Sequence, residues 1–246
     1  MEIYKLKDNV EDGKKAFRIT NLKSGVKNPN RVNVFVNDEY AFSLDVAQVV
    51  DYKLKVGLVI SEEQLVEYKK ASEFGKLYQR TLEWVLMRPR SERETRDYLF
   101  RKLRNTFRGS YATNEERDER VSPVTTSANE RVREEYSELS DEILQRLISR
   151  GYIDDRKFAE FWVENRFVKK GVSRRRLEME LFKKGISREI IEEVLAGSVR
   201  NDETEIKKII ARKRGKYDEE KLINYLCRQG FSYQQVQSLV REYGKD

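Results

Sequence analysis

Near the start of the chain, apolar and polar residues alternate as they do in half-buried β-strands. The alternating runs read AFRITNL, RVNVFVN and EYAFSL, at residues 16–22, 31–37 and 39–44. Asn37 and Asp38 separate the last two runs, and both residue types tolerate the positive φ of a tight hairpin turn. Asp45 can cap a short helix, and Ser61 opens a capping box at the start of a longer one. This part of the chain is predicted to form a small antiparallel sheet with short helices.

The rest of the chain has a helical period and repeats itself. Residues 173–195 align with residues 218–240 at a constant offset of 45 residues. The matched pairs are Leu177 with Leu222, Leu181 with Leu226, Gly185 with Gly230, Ser187 with Ser232, and Ile191 with Val236. In each copy the glycine follows an apolar helix, where a left-handed C-terminal cap is favoured, and the serine can cap the next helix. Each copy is therefore predicted to be a helix hairpin, with one further helix before it.

An earlier copy is interrupted. SERETRDYLFRKL opens at Ser91 with a capping box completed by Glu94, and its partner helix reappears as SDEILQRLISRG, with Ser140 as its cap. The polar segment between them, residues 104–139, lacks apolar periodicity and is predicted to be a disordered insertion.

The predicted fold class is mainly α, with three tandem three-helix repeats in an elongated array behind a small N-terminal antiparallel β-sheet with short helices. The predicted boundaries are 1–70 for the N-terminal extension, 71–150 for the first repeat, 151–197 for the second and 198–246 for the third. Arrays of this kind present long surfaces that suit extended partners. A binding function is therefore favoured over a catalytic one.

The amino-acid composition excludes most kinds of catalytic site. The chain has no histidine and a single cysteine, Cys227, which excludes histidine-activated nucleophiles, most zinc sites and an internal disulfide. Neither a phosphate-binding loop nor a dinucleotide-binding glycine motif is present. We therefore predict no enzymatic activity, no cofactor and no metal. The chain shows no apolar run long enough to cross a bilayer and no signal peptide, which predicts a cytoplasmic protein without membrane contacts.

Positive charge is concentrated in one region. The chain has a net charge of +7, and residues 166–188 alone contain nine Lys or Arg against two acids. Three successive arginines fall in the first turn of a predicted helix, where the helix dipole disfavours cations. Such a cluster indicates a surface for a polyanion or an acidic protein, while pairing of Arg176 with Glu180 and Lys183 is the plainer alternative. The predicted binding residues are Arg166, Lys169, Lys170, Arg174, Arg175, Arg176, Lys183 and Lys184.

A second group of residues is predicted to be structural. Its members are Gly151, Tyr152, Ile153, Asp154, Asp155 and Phe158, together with Gly185 and Gly230. The first glycine is predicted to end a helix, the tyrosine and isoleucine to pack between repeats, and one of the two aspartates to cap the helix that carries the phenylalanine. Two adjacent carboxylates alone are a poor metal site.

These segments resemble a known family. RPRSERETRDYLFRKL, LISRGYIDDRKFAEFWVENR and RRRLEMELFKKGIS are similar to successive signatures of the RecX family of recombination regulators. RVNVFVNDEYAFSLD resembles the N-terminal extension of its longer members, so the resemblance covers nearly all of the chain except the insertion. It implies a cytoplasmic bacterial protein of DNA recombination and repair, which binds the filament of the RecA recombinase on single-stranded DNA. In most members the effect is inhibition of ATP hydrolysis, strand exchange and the co-protease activity that triggers the SOS response.

The function expected is that of a monomeric regulator of RecA filaments. One alternative is a DNA-binding helical repeat protein that grips single-stranded or double-stranded DNA without RecA, with an affinity that falls steeply with salt. Another is a scaffold for a different helical partner, in which the basic cluster is incidental. Charge reversal at Arg174, Arg175 and Arg176 would leave the function of such a scaffold unchanged.

Overall fold

The computed structural model describes residues 9–11, 14–26, 28–111, 127–213 and 215–243. Contacts divide the chain into two units, Met1–Trp84 with Tyr98–Gln145, and Val85–Asp97 with Arg146–Asp246. The strands are β1 Asn9–Glu11, β2 Lys14–Ser24, β3 Arg31–Val36, β4 Glu39–Asp45 and β5 Val59–Ile60. They pair antiparallel in the order β1-β2-β3-β4, and β5 pairs with β2.

The predicted hairpin is confirmed. Asn37 and Asp38 join β3 to β4 with φ angles of 52° and 66°, the left-handed values that a tight hairpin turn requires. Val34 of β3 lies opposite Phe42 of β4, and alternation turns both side chains inward. The buried residues of this sheet core include Phe17, Ile19, Val34, Val36, Phe42, Leu44, Leu65 and Tyr68.

Two helices follow the sheet, α1 Val46–Asp51 and α2 Glu62–Leu86. The predicted caps of both are confirmed, since Asp45 caps α1 in a capping box with Gln48. At α2 the Gln64 amide donates to the Ser61 hydroxyl at 3.2 Å, and the Ser61 amide donates to the Gln64 side chain at 2.9 Å. Helix α2 also covers the edge strand β4, because the Ser43 amide donates to the Ser72 hydroxyl at 3.1 Å.

The chain then continues in helices, which confirms a mainly α fold that follows a small N-terminal sheet in the sequence. They are α3 Glu92–Tyr111, α4 Ser127–Ser149, α5 Asp155–Asn165, α6 Arg174–Lys183, α7 Arg188–Gly197, α8 Asp202–Lys213, α9 Glu219–Arg228 and α10 Tyr233–Tyr243. The second repeat, α5–α7, buries Phe158, Leu177, Leu181 and Ile191 in one cluster. The third repeat, α8–α10, has its own cluster, with Leu222, Leu226 and Val236 at the matching positions.

Several helix ends differ from their predicted positions. Helix α4 begins at Ser127, so Ser140 lies inside it and is not a cap. Helices α3 and α4 both extend into the predicted insertion, whose many Arg and Glu residues are good helix formers. Residues 112–126 of that insertion lie outside the described residues, and disorder there stays a prediction. Helix α5 ends at Asn165 because Phe167 adopts a left-handed φ of 50°.

In the segment between α4 and α5, the residues have the structural roles that were predicted for them, except at Tyr152. Gly151 has a φ of 72° where α4 ends, and the Asp154 side chain caps α5 by accepting from the Lys157 amide at 3.0 Å. Ile153 is buried, whereas Tyr152 is 40% exposed. The prediction that Tyr152 packs between repeats is therefore corrected, and its polar hydroxyl explains why water is tolerated there.

Candidate partner-binding surface of the second repeat

Two buried serines each join one repeat to the next. The Ser91 hydroxyl accepts from the Glu94 amide at 3.1 Å and donates to the Lys184 carbonyl at 2.8 Å. The Ser173 hydroxyl accepts from the Arg176 amide at 3.2 Å and donates to the Gln229 carbonyl at 2.6 Å. A hydroxyl can do both because it is donor and acceptor at once. Each serine therefore caps its own helix and holds the C-terminal end of the equivalent helix in the following repeat.

A half-buried aspartate completes each of these junctions. Asp155 accepts from the Glu92 amide, and Asp202 accepts from the Arg174 amide, both at 2.8 Å. Burial raises the pKa of both carboxyls, although these backbone hydrogen bonds act in the opposite direction. Helix α6 has no acid in its own first turn, so Asp202 supplies the negative charge that its dipole favours there. This charge offsets the unfavourable placement of three arginines in that turn.

The two predicted cap glycines also lie at these junctions. Gly185 and Gly230 have φ angles of 85° and 93°, values that side chains other than glycine rarely adopt. A Cβ atom on Gly185 would lie 2.8 Å from the Cβ of Arg93, and one on Gly230 would lie 2.9 Å from the Ser173 hydroxyl. The glycines therefore serve both as helix caps and as points of close approach between repeats.

Ser173→Ala is expected to lower the free energy of unfolding by about 2–3 kcal/mol, because it removes a cap and leaves the Gln229 carbonyl without its donor. Ser187→Ala is the matched control, since the exposed Ser187 hydroxyl caps α7, accepting from the Ile190 amide at 3.4 Å, and its hydrogen bond to the Glu189 side chain stays within the same helix. This control is expected to lose about 1 kcal/mol or less. Urea unfolding followed by circular dichroism measures both values, and equal losses would show that the junction bond adds no stability.

Glu180 binds two of the predicted arginines. The Arg166 Nε lies 2.7 Å from its carboxylate, the Arg176 Nε 3.2 Å and the Trp162 indole nitrogen 3.1 Å. Burial alone would raise the pKa of Glu180, but these donors and the charge of Arg166 outweigh it and lower the pKa. The carboxylate therefore stays ionised at neutral pH and neutralises part of the predicted positive surface.

Aromatic rings hold the same two arginines in place. The Arg166 guanidinium carbon lies 3.8 Å from the Phe167 ring centre and 4.9 Å from that of Trp162, within the range of cation–π attraction. The Arg176 guanidinium lies 5.3 Å from the Phe167 ring and donates to the Gln229 side chain at 2.5 Å. Arg176 thus links the second repeat to the third.

Two more of the predicted cations have internal partners. The Lys184 ammonium lies 2.5 Å from the Glu94 carboxylate. Burial would raise the pKa of Glu94, but hydrogen bonds and charge from Lys184 and Arg88 lower it. Arg174 pairs with Glu178 at 3.4 Å and donates to the Leu195 carbonyl, near the end of α7, at 3.0 Å.

The other four predicted residues face solvent. Lys169 and Lys170 lie between α5 and α6, and Arg175 and Lys183 lie in the first and last turns of α6. All four are exposed, and within the part of the chain that the structure describes none has an ion pair or a side-chain hydrogen bond. We call them the exposed cations. Their charge remains available to a partner, because no neighbouring acid neutralises it.

Sequence reasoning missed a buried acid. The Glu205 side chain is 2% exposed, and its carboxylate lies 2.8 Å from Arg200, 2.7 Å from Lys208 and 3.0 Å from the Val172 amide. Burial would raise the pKa of Glu205, but these partners lower it. The sequence did indicate its burial, because Glu205 lies one helical turn before Ile209 and therefore on the same, buried face of the helix.

Within the described ranges, no group of three or more His, Cys, Asp or Glu residues is arranged to hold a metal ion. Among the same residues, no helix has the length and apolar character needed to span a membrane. Cys227 is a partly buried free thiol.

The fold and its junctions define a protein of tandem three-helix repeats with a small antiparallel sheet at its N-terminal end. Two family models match the chain, the second three-helix domain of RecX at residues 154–195 and the N-terminal domain of regulatory protein RecX at residues 17–61. Together with the curated relatives described next, these matches support a RecX family protein.

Curated relatives are similar over most of the chain. A regulatory protein RecX of Listeria monocytogenes serovar 1/2a is 28% identical over 233 residues, which cover 92% of this chain and 75% of the relative. One from Bacillus licheniformis is 26% identical over 232 residues, covering 91% of this chain and 76% of the relative. A solved crystal structure of regulatory protein RecX shares the fold, with a TM-score of 0.59 and 19% identity over 94% of this chain and 100% of the other.

Proposed function

We propose that this protein binds filaments of the RecA recombinase on single-stranded DNA and inhibits their ATPase, strand-exchange and co-protease activities. It acts as a monomer in the cytosol and catalyses no reaction of its own. Membership of the RecX family supports the choice of partner. The exposed cations of the second repeat support the mode of binding.

The observation that carries this proposal is the division among the eight predicted residues. Arg166, Arg174, Arg176 and Lys184 are held by partners inside the protein, whereas the exposed cations, on α6 and on the loop before it, face solvent. A filament on single-stranded DNA offers both phosphate and acidic protein surface, so such a set would steer association. The serine junction to the third repeat holds α6 in place and so orients Arg175 and Lys183, the two exposed cations on that helix.

Inhibition follows from where the protein would bind. A chain docked across neighbouring recombinase subunits would block the incoming duplex, or disturb the subunit interface where ATP is hydrolysed. The partner would therefore be controlled by steric and electrostatic contact alone.

Titration of this protein into RecA hydrolysing ATP on single-stranded DNA tests the proposal, together with its direct binding to bare DNA at low and physiological salt. Hydrolysis is expected to fall at protein concentrations at which bare DNA is not bound. Unchanged hydrolysis together with tight, salt-sensitive DNA binding would contradict the proposal. It would favour the alternative of a DNA-binding repeat protein that acts without RecA.

A further inference from the structure

One face of α6 combines exposed apolar side chains with two of the exposed cations. Phe182 is 67% exposed and Met179 is 49% exposed. Arg175, Met179 and Phe182 recur at helical positions i, i+4 and i+7, and Lys183 follows Met179 by one turn, so all four lie on the same side of the helix. We call these four residues the Phe182 face. None of these four is acidic, and Glu178, one turn before Phe182 on the same side, is paired with Arg174 at 3.4 Å.

The repeat fold does not need an apolar residue at these positions. Helix α6 buries Leu177 and Leu181 on its other side. Its counterpart α9 buries the matching Leu222 and Leu226, yet carries Asn224 and Cys227 where α6 has Met179 and Phe182. Exposed apolar groups that packing does not require indicate an interaction surface when they adjoin one another.

Part of this combination recurs in the first repeat, where Asp97 stands at the position of Met179. Helix α3 has Phe100 at the position equivalent to Phe182, and Phe100 is 60% exposed. Arg101 follows Phe100 as Lys183 follows Phe182. An exposed phenylalanine with a cation next to it, at one helix position in two repeats, is more than a single exposed side chain that folding happens to tolerate.

We propose that the Phe182 face binds an acidic segment of the recombinase that also carries apolar side chains, and that it does not bind DNA phosphate. This inference rests on the function proposed above. Arg175 and Lys183 complement acidic side chains, and Met179 adapts to irregular apolar surfaces. Phosphate alone would leave the apolar half of the face in water. A stacking site for single strands combines a basic groove with successive aromatic rings, whereas this face presents one ring beside a thioether.

Phe182→Ala in the full-length chain tests this inference. We expect the variant to bind RecA filaments on single-stranded DNA about tenfold or more weakly than the wild type, in the range of a central interface residue. Its affinity for bare single-stranded DNA should stay within about twofold, since bare DNA contacts charge alone. Fluorescence anisotropy with labelled protein and labelled DNA measures the two affinities. Phe182 is exposed, so the substitution leaves the core intact.

Two further variants make the result specific. Tyr233→Ala removes another exposed aromatic side chain, in α10, and should change neither affinity. Phe182→Leu keeps an apolar contact but cannot stack on a base, so it should retain most of the filament affinity.

The possible results separate this inference from the proposed function. A parallel loss of bare-DNA affinity in Phe182→Ala, with no rescue by leucine, would identify a base-stacking residue and overturn the inference. Wild-type filament affinity in Phe182→Ala would also overturn it, while leaving the proposed function intact. If the wild-type protein itself did not bind filaments, the proposed function would fail and the inference with it.

Discussion

Changing the exposed cations Lys169, Lys170, Arg175 and Lys183 together to glutamate is expected to weaken binding to RecA filaments by roughly 100-fold or more. Each exposed charge contributes up to about 1 kcal/mol, and reversal replaces attraction with repulsion. Four reversals then total about 3–4 kcal/mol, and each 1.4 kcal/mol is a factor of about ten in affinity. Anisotropy titrations at two salt concentrations would measure the loss and the weaker salt dependence that should accompany it.

A matched control variant distinguishes an effect of the exposed cations from an effect of the total charge of the protein. The same reversal at four exposed cations outside the second repeat changes the total charge equally; suitable positions are Lys55, Arg212, Lys216 and Arg241. This variant is expected to lose less than about threefold in affinity, because exposed charges outside the proposed contact are largely screened by salt. Equal losses in both variants would mean that total charge matters and that the second repeat has no special role.

Glu205→Ala is expected to lower the free energy of unfolding by about 3–5 kcal/mol, the range for removing one partner of a buried ion pair. The loss leaves Arg200, whose side chain is only 12% exposed, without its carboxylate. The Val172 amide also loses its acceptor. The guanidinium would keep its bonds to the carbonyls of Val163 and Arg166, which leave its charge unneutralised. Denaturant unfolding monitored by circular dichroism gives the value.

The control for this experiment lies on the same helix. Glu203 pairs with Lys207 at 2.6 Å, but its side chain is 61% exposed, so Glu203→Ala should lose less than about 1 kcal/mol. Glu205→Gln should fall between the two, because the amide keeps an acceptor while losing the charge. Similar losses in Glu205→Ala and Glu203→Ala would contradict the assignment of Glu205 as a buried structural acid.

The parts of the fold that could be predicted from sequence have local causes. The turn at Asn37 and Asp38 needs only residue types that accept a positive φ. The helix hairpins of the second and third repeats follow from apolar spacing together with Gly185 and Gly230, all within one stretch of chain. Strands β1 and β5 were missed because three and two residues are too few to show a period.

The candidate site could be predicted only in part, because many of the residues that contact one another there are far apart in the sequence. Helical spacing correctly paired Arg176 with Glu180, but it was wrong to add Lys183, which has no ion pair within the described residues. It could not show that Arg166 reaches the same carboxylate across the turn at Phe167, or that Ser173 donates to a carbonyl 56 residues away. Those contacts depend on how helices pack. For the same reason, the sequence predicted eight cationic binding residues but could not show which of them have partners inside the protein and which are exposed.

Each serine junction connects a repeat to the one that follows it, and the third repeat lacks the hydroxyl that a further junction would need. At the position of Ser91 and Ser173, the third repeat has Asp218, which caps α9. Hydrogen bonds from the Lys221 side chain and amide lower the pKa of Asp218, so its carboxylate is ionised and can only accept. A duplicated copy of the third repeat placed after α10 would find no donor for its helix-end carbonyl. Extending the array by gene duplication would therefore require a serine codon at position 218 as well.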